Sequence, residues 1–322
     1  MFQVLRVAGI PVRIDPSWLL VFALITWSLA AGYIPHALPE LTAVATWLSA
    51  AAAAALLFVS VFLHELSHSL VALRLGVRVT GIRLHVFGGV SELDTEPPTP
   101  RAEFLIAVVG PLTSFVIAAL CYGLGRGAAG SPWAVALTGY LAVVNLVLGL
   151  FNLVPGFPLD GGRVLRAALW SASGRLGWAT QWASRIGALF AFALVALGVV
   201  RALAGEVVGG LWFVLIGAFL HQNARSGAAL ASARDRLERV RVADVMMPLA
   251  TTVEALVVPE QDQAITPGAT AWEAFAKLSR RGAARLAVLD GGRLVGVVNR
   301  RDLQHVLEER EEAGSTVGRR AA

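Results

Sequence analysis

Cysteine and charge are what this sequence has least of. Cys121 is the single cysteine among 322 residues. That excludes an internal disulfide framework and a zinc site built from thiolates. In its apolar run, Cys121 reads as a small buried hydrophobe. Charged residues make up only 15% of the chain against 56% hydrophobic ones, and the mean hydropathy is +0.66. Water-soluble globular chains carry about a quarter charged residues. The balance therefore excludes an ordinary soluble domain and indicates a helical integral membrane protein. The net charge of +5 is mostly arginine. Without interleaved basic and aromatic residues, that charge reports membrane topology, and no nucleic-acid partner is expected.

Apolar runs are abundant. Six spans are predicted: Pro16–Pro35, Leu41–Leu75, Ala102–Leu124, Trp133–Leu159, Gln181–Val200 and a shorter Val207–Leu220. Crossing the hydrocarbon takes about 20 residues. The first run is expected to be retained as a span, since Leu29-Ala30-Ala31 makes a poor signal-peptide cleavage site. With the N-terminus inside, the inner segments hold Arg6, Arg13, Arg74, Arg78, Arg83, Arg101, Arg163, Arg166, Arg175 and Arg185, and the outer loops only Arg126 and Arg201. This bias predicts cytoplasmic N- and C-termini.

Two stretches look extended. Residues 1–15 alternate apolar residues around Gly9 and Pro11, and residues 77–93 alternate with a break at Gly88-Gly89. Strands cannot lie open in lipid, so they must pack on protein or line a wet cavity. After residue 222 the composition turns polar. A helical linker is expected over 223–241, a small α/β domain over 242–312 and a disordered tail over 313–322. Within that domain, helix-like Ala271–Arg280 precedes strand-like Leu286–Leu289, a turn at Asp290-Gly291-Gly292 and strand-like Leu294–Val298, with a helix from Arg301.

His64-Glu65-Leu66-Ser67-His68 lies inside the second apolar run. Ionisable groups at membrane depth are costly and mark functional sites. Residues four apart share a helix face, so His64 and His68 can grip one metal ion. Glu65 beside them can serve as base toward a water at the metal. A catalytic zinc takes three protein ligands and keeps one position open. Asp160 is the best third ligand, because Pro155 and Pro158 break the fourth run just before it at similar depth. Capping of a helix beside Gly161 is the plainer alternative for that residue. Gly110-Pro111 near Ser114 bends the third span or lets helices approach closely, and Asn145 hydrogen-bonds across helices. Trp18, Trp133 and Trp212 fit an interfacial aromatic belt. His85 reads as structural.

These residues resemble the site-2 protease family of intramembrane zinc metalloproteases, in the subgroup with a C-terminal CBS domain. The resemblance rests on Gly9-Ile10-Pro11, the His-Glu-x-x-His run, the strand ending Phe87-Gly88-Gly89, Gly110-Pro111 and Asn152…Pro155…Leu159-Asp160-Gly161. It implies an all-α polytopic membrane protein of about six transmembrane helices with short membrane-associated strands, plus a cytoplasmic α/β CBS-like domain. It implies one zinc per chain on His64, His68 and Asp160, with Glu65 as general base and acid. Asn152 is implied near the metal as an oxyanion stabiliser, or else as an interhelical hydrogen-bonding residue. The implied partner is a membrane-spanning protein substrate, such as a tethered regulator, in the cell membrane. The CBS-like region begins at Val242-Ala243-Asp244-Val245-Met246-Met247-Pro248. Such modules work in pairs, so one unit implies either pairing with a second chain, as in a homodimer, or a degenerate module. Asn299, where nucleotide-binding members carry Ser or Thr three residues before Asp302, counts against adenine nucleotide. Two other functions fit the residues: a CBS-gated transporter or channel, and a catalytically silent scaffold for membrane helices.

Overall fold

The structure is a computed structural model that describes residues 2–86, 88–254, 264–281 and 283–307. It divides into two compact units, residues 1–225 and 226–322.

The first unit opens with a hairpin. Strands β1 (Phe2–Val7) and β2 (Ile10–Ile14) pair antiparallel. Ala8 and Gly9 turn the chain at φ 51° and 81°, the left-handed backbone that a two-residue hairpin loop requires. Helix α1 (Ser17–Ser28) runs through a π-helical turn (Leu29–Tyr33) into the short α2 (Ile34–Ala37). Helix α3 (Ala43–Arg74) is capped by Thr42, whose Oγ1 accepts from the Ala45 N–H. Strands β3 (Val79–His85) and β4 (Gly88–Leu93) follow. β2 pairs parallel with β3, which gives one sheet in the order β1-β2-β3-β4. The two extended stretches expected from sequence thus form a single sheet.

Helices α4 (Pro100–Gly127), α5 (Pro132–Asn152), α6 (Asp160–Ser173), α7 (Leu176–Leu203) and α8 (Val207–Leu237) complete the bundle. Six helical segments are long and apolar enough to cross a membrane: Ser17–Ala37, α3, α4, α5, α7 and α8. Their outward faces remain apolar; Leu189 is 70% exposed and Val208 86%. A surface of this kind is a liability in water and suits a lipid solvent. The interior packs on small residues: Ala50, Ala53 and Ala54 of α3 lie against Leu29, Ile34, Leu137 and Leu141. Asn145 is fully buried and donates to Ser60 Oγ at 3.1 Å, bonding α5 to α3.

Three features take a form that the sequence left open. The arginine-bearing segment after Asp160 is the amphipathic helix α6, closed by Gly174 at φ 68°. The polar stretch after Leu220 continues the last span as one helix to Leu237, because Gly227-Ala228-Ala229-Leu230-Ala231 is dominated by strong helix formers. Trp18 stacks on Phe22 at 5.2 Å and packs edge-on to Phe58 at 4.9 Å.

The second unit contains α9 (Val242–Val245), β5 (Met247–Glu254), β6 (Ala264–Ile265), α10 (Ala271–Arg281), β7 (Arg285–Asp290) and β8 (Arg293–Asn299), with residues 300–307 helical. Its sheet runs β5-β8-β7-β6 over a core of Val242, Leu278, Leu286, Val288, Val298 and Leu303. Gly291 and Gly292 make the hairpin turn at φ 55° and 81°. The expected tail at 313–322, the last residues of the expected 242–312 domain and Phe87 lie outside the described residues.

Candidate metal centre

His64 and His68 stand one turn apart on α3 and are each 3% exposed. Their Nε2 atoms lie 3.2 Å apart, and each is 3.1 Å from Asp160 Oδ2. Asp160 arrives on the first turn of α6, after the loop that Pro155 and Pro158 force out of helix. The three residues expected as ligands therefore meet. Their donor atoms lie within 4.8 Å of one another, and this is the metal-competent group found among the described residues.

The outer nitrogens of both rings are committed. His68 Nδ1 lies 2.5 Å from the Ile106 carbonyl, and His64 Nδ1 lies 3.0 Å from Ser114 Oγ, both on α4. A carbonyl only accepts, so His68 donates from Nδ1. Neutral imidazole carries one N–H, which leaves Nε2 as a lone pair. That lone pair faces a carboxylate oxygen 3.1 Å away inside the bundle. Two acceptors at hydrogen-bond distance repel unless a proton or a cation lies between them. Histidine held by its far nitrogen is the usual arrangement around a metal.

The donor spacing and the space beside it also fit an ion. A tetrahedral zinc at about 2.0–2.1 Å from each donor needs donors about 3.3 Å apart; the observed separations are 3.1–3.2 Å. Gly110 of α4 leaves the necessary volume. A Cβ there would lie 2.7 Å from His64 Nε2 and closer still to His68 Nε2. The expected close approach at Gly110-Pro111 is thus an approach to the ligand nitrogens themselves.

Glu65 points to the sheet side of the cluster. Ser91 Oγ on β4 lies 2.9 Å from Glu65 Oε2 and 2.8 Å from its carbonyl, while Ser69 donates to Ser91 at 3.1 Å. A Cβ at Gly89 would collide with the Glu65 side chain, lying 3.3 Å from Oε1 and nearer to the carbons. Gly89 and Ser91 thus fit this carboxylate specifically. Their fit to Glu65 was not legible in the sequence, where Gly88-Gly89 reads as a break and as part of the family pattern and Ser91 is not singled out. Asn152 ends α5, and its Nδ2 donates to the Leu148 carbonyl at 3.0 Å on its own helix. His85 on β3 is half-buried; burial and the nearby Arg83 charge push its pKa below the ordinary histidine value.

The chain is similar to known proteins over most of its length. The profile of Peptidase family M50 matches residues 52–194, and that of the CBS domain matches residues 242–309. A Synechocystis protein that carries the name of a zinc metalloprotease, sll0528, is 36% identical over 92% of this chain and 76% of its own length. Rip3 of Mycobacterium tuberculosis, named likewise, is 42% identical over 75% of this chain and 62% of its own length. The chain spans less than two thirds of the second relative. The solved site-2 protease of Methanocaldococcus jannaschii is 30% identical, covering 70% of this chain and 94% of that one, with a TM-score of 0.48. On the length and identity shared with the Synechocystis protein, and on the matched profiles, this multi-pass chain belongs to peptidase family M50, the site-2 proteases, and carries a C-terminal CBS domain.

Proposed function

We propose that the protein is a zinc-dependent intramembrane endopeptidase that cuts a transmembrane segment of a membrane-tethered protein. The observation that carries this reading is the buried meeting of His68 Nε2, His64 Nε2 and Asp160 Oδ2 within 3.1–3.2 Å of one another. His64, His68 and Asp160 would hold one zinc per chain. When bound, zinc lowers the pKa of water toward neutrality and polarises a peptide carbonyl.

The chain's own residues supply the proton traffic. Ser91 holds Glu65 Oε2, so Oε1 is the atom that takes the proton from the attacking water and hands it to the leaving amine. Asn152 stabilises the oxyanion by releasing its bond to the Leu148 carbonyl. A substrate helix has its carbonyls engaged in its own hydrogen bonds and must unwind first. β4 is the edge strand of its sheet and carries Gly89 and Ser91 beside Glu65. That edge can hold an unwound segment as an added strand.

Arginine placement supports an orientation with both termini in the cytoplasm. Residues 75–99 and 153–175, between the helices, hold Arg78, Arg83, Arg163, Arg166 and Arg175, whereas residues 38–42, 128–131 and 204–206 hold no Lys or Arg. The CBS domain acts as a docking unit that pairs with a second copy. Asp302 Oδ2 accepts from the Asn299 N–H at 2.9 Å, and Asn299 Oδ1 accepts from the Arg301 and Asp302 N–H groups at 2.8 and 3.2 Å. Both side chains are occupied in capping the last helix, which favours docking over nucleotide binding.

The test is zinc analysis together with cleavage of a single-span substrate in vesicles. Glu65→Gln should retain zinc and lose cleavage, and His64→Ala should lose both. Undiminished cleavage by Glu65→Gln overturns the assignment of the base.

A further inference from the structure

One face of α4 meets both histidines of the metal centre. Glu103, Ile106, Gly110 and Ser114 recur at spacings of three, four and four, so they form one stripe along the helix. Ile106 and Ser114 meet the outer nitrogens of the two histidines, and Gly110 borders their inner nitrogens. Glu103, at the start of the stripe, reaches α6 instead.

Glu103 is fully buried at 0% exposure. Arg166 Nε donates to Glu103 Oε1 at 2.6 Å, and Nη2 donates to the same oxygen. Arg163 Nε approaches that oxygen at 3.9 Å, and Glu96 lies 3.7 Å from Arg166 Nη1. The Arg166 guanidinium also lies over the Phe157 ring, 5.0 Å from its centre. Phe157 belongs to the loop that delivers Asp160. One side chain therefore ties together the first turn of α4, the loop before Asp160 and the helix that Asp160 begins.

α6 needs such a tie. It has 14 residues, a length at which isolated helices are marginal. Its N-cap, Leu159, makes no side-chain capping bond. No capping side chain fixes its first turn, although a ligand there must sit within about 0.2 Å of its place. A buried ion pair is a weak source of stability but a good source of fixed geometry.

We infer that Glu103 and Arg166 form a positioning clamp that sets Asp160 Oδ2 against the two histidine nitrogens, so that α4 orients all three metal ligands. This rests on the proposed assignment of Asp160 as a ligand. The test is the zinc dissociation constant of the purified full chain in detergent, by competition with a chelating dye, for wild type, Asp160→Asn, Glu103→Gln and the double variant. Glu103→Gln should weaken zinc binding about tenfold, the lower end of the effect of outer partners. In the Asp160→Asn background the same change should cost less than twofold, because its action passes through Asp160. A general loosening of the fold would instead add in full. Arg166→Lys keeps the charge but cannot present two nitrogens to one oxygen, so it should reproduce the loss and serves where Glu103→Gln does not accumulate. Unchanged zinc affinity in both clamp variants, or an additive loss in the double variant, overturns the clamp while leaving Asp160 as ligand. Unchanged affinity in Asp160→Asn overturns the ligand assignment and the clamp with it.

Discussion

Replacing Gly110 by Ala isolates the metal centre from the rest of the bundle. A methyl group at this position would lie 2.7 Å from His64 Nε2. Unbonded heavy atoms prefer about 3.5 Å, so α4 or the rings must give by at least roughly 0.8 Å, and by more at His68, whose Nε2 lies nearer still. Metal ligands tolerate about 0.2 Å. The shift exceeds that at least about fourfold, and zinc affinity should fall by about 100-fold, or ~2.7 kcal/mol, at the upper end of the usual outer-partner range. Helix propensity acts in the opposite direction, since Gly→Ala inside a helix favours folding by about 1 kcal/mol. The metal-free variant should therefore unfold no earlier than metal-free wild type by more than an overpacking cost of about 1–3 kcal/mol. Gly123→Ala is the control, on the same helix with open space around the added carbon. The assay is thermal unfolding in detergent with zinc or chelator, together with elemental analysis. Zinc at 100 times its dissociation constant stabilises a binding-competent fold by about 2.7 kcal/mol. Wild type and Gly123→Ala should show that gain, and Gly110→Ala should not. A Gly110→Ala protein that binds zinc like wild type would refute the claim that the space beside this glycine belongs to the ion.

Other outcomes are equally specific. Ser91→Ala should keep zinc and lower the cleavage rate by about 10–100-fold, because a hydrogen bond to a carboxylate contributes about 1.5–3 kcal/mol; zinc loss in this variant would assign Ser91 to folding instead. Asn145→Ala should reduce thermal stability by about 0.6 kcal/mol, the average for a polar contact between membrane helices, with zinc content unchanged. In a Cys121→Ser background, a cysteine at Ala129 should react with an impermeant maleimide on whole cells, and one at Thr95 only after permeabilisation. The reverse pattern would invert the proposed orientation.

Much of the functional centre could be read without the structure. His64 and His68 share a face because a helix has 3.6 residues per turn, and α3 is helical on composition alone. Asp160 could be singled out because Pro155 and Pro158 end the preceding helix before it. The hairpin of β7 and β8 follows from Asp290-Gly291-Gly292 between alternating apolar runs. The amphipathic α6 was harder. At 14 residues it is too short to register as a span, and its arginines look like an ordinary inner loop.

Local pattern by itself determined this protein's membrane class, its six long apolar helices, the pair of histidines on one helix face and the direction in which to seek their partner. Those properties depend on periodicity and burial cost within one segment. Tertiary structure alone decided that β2 would pair with β3, that Gly89 and Ser91 would fit around Glu65, and that Gly110 would border the ligand nitrogens. It also decided that Glu103 would meet Arg166, 63 positions along the chain. Such pairings depend on which faces of separate helices and strands come together. No spacing within a single segment encodes that choice.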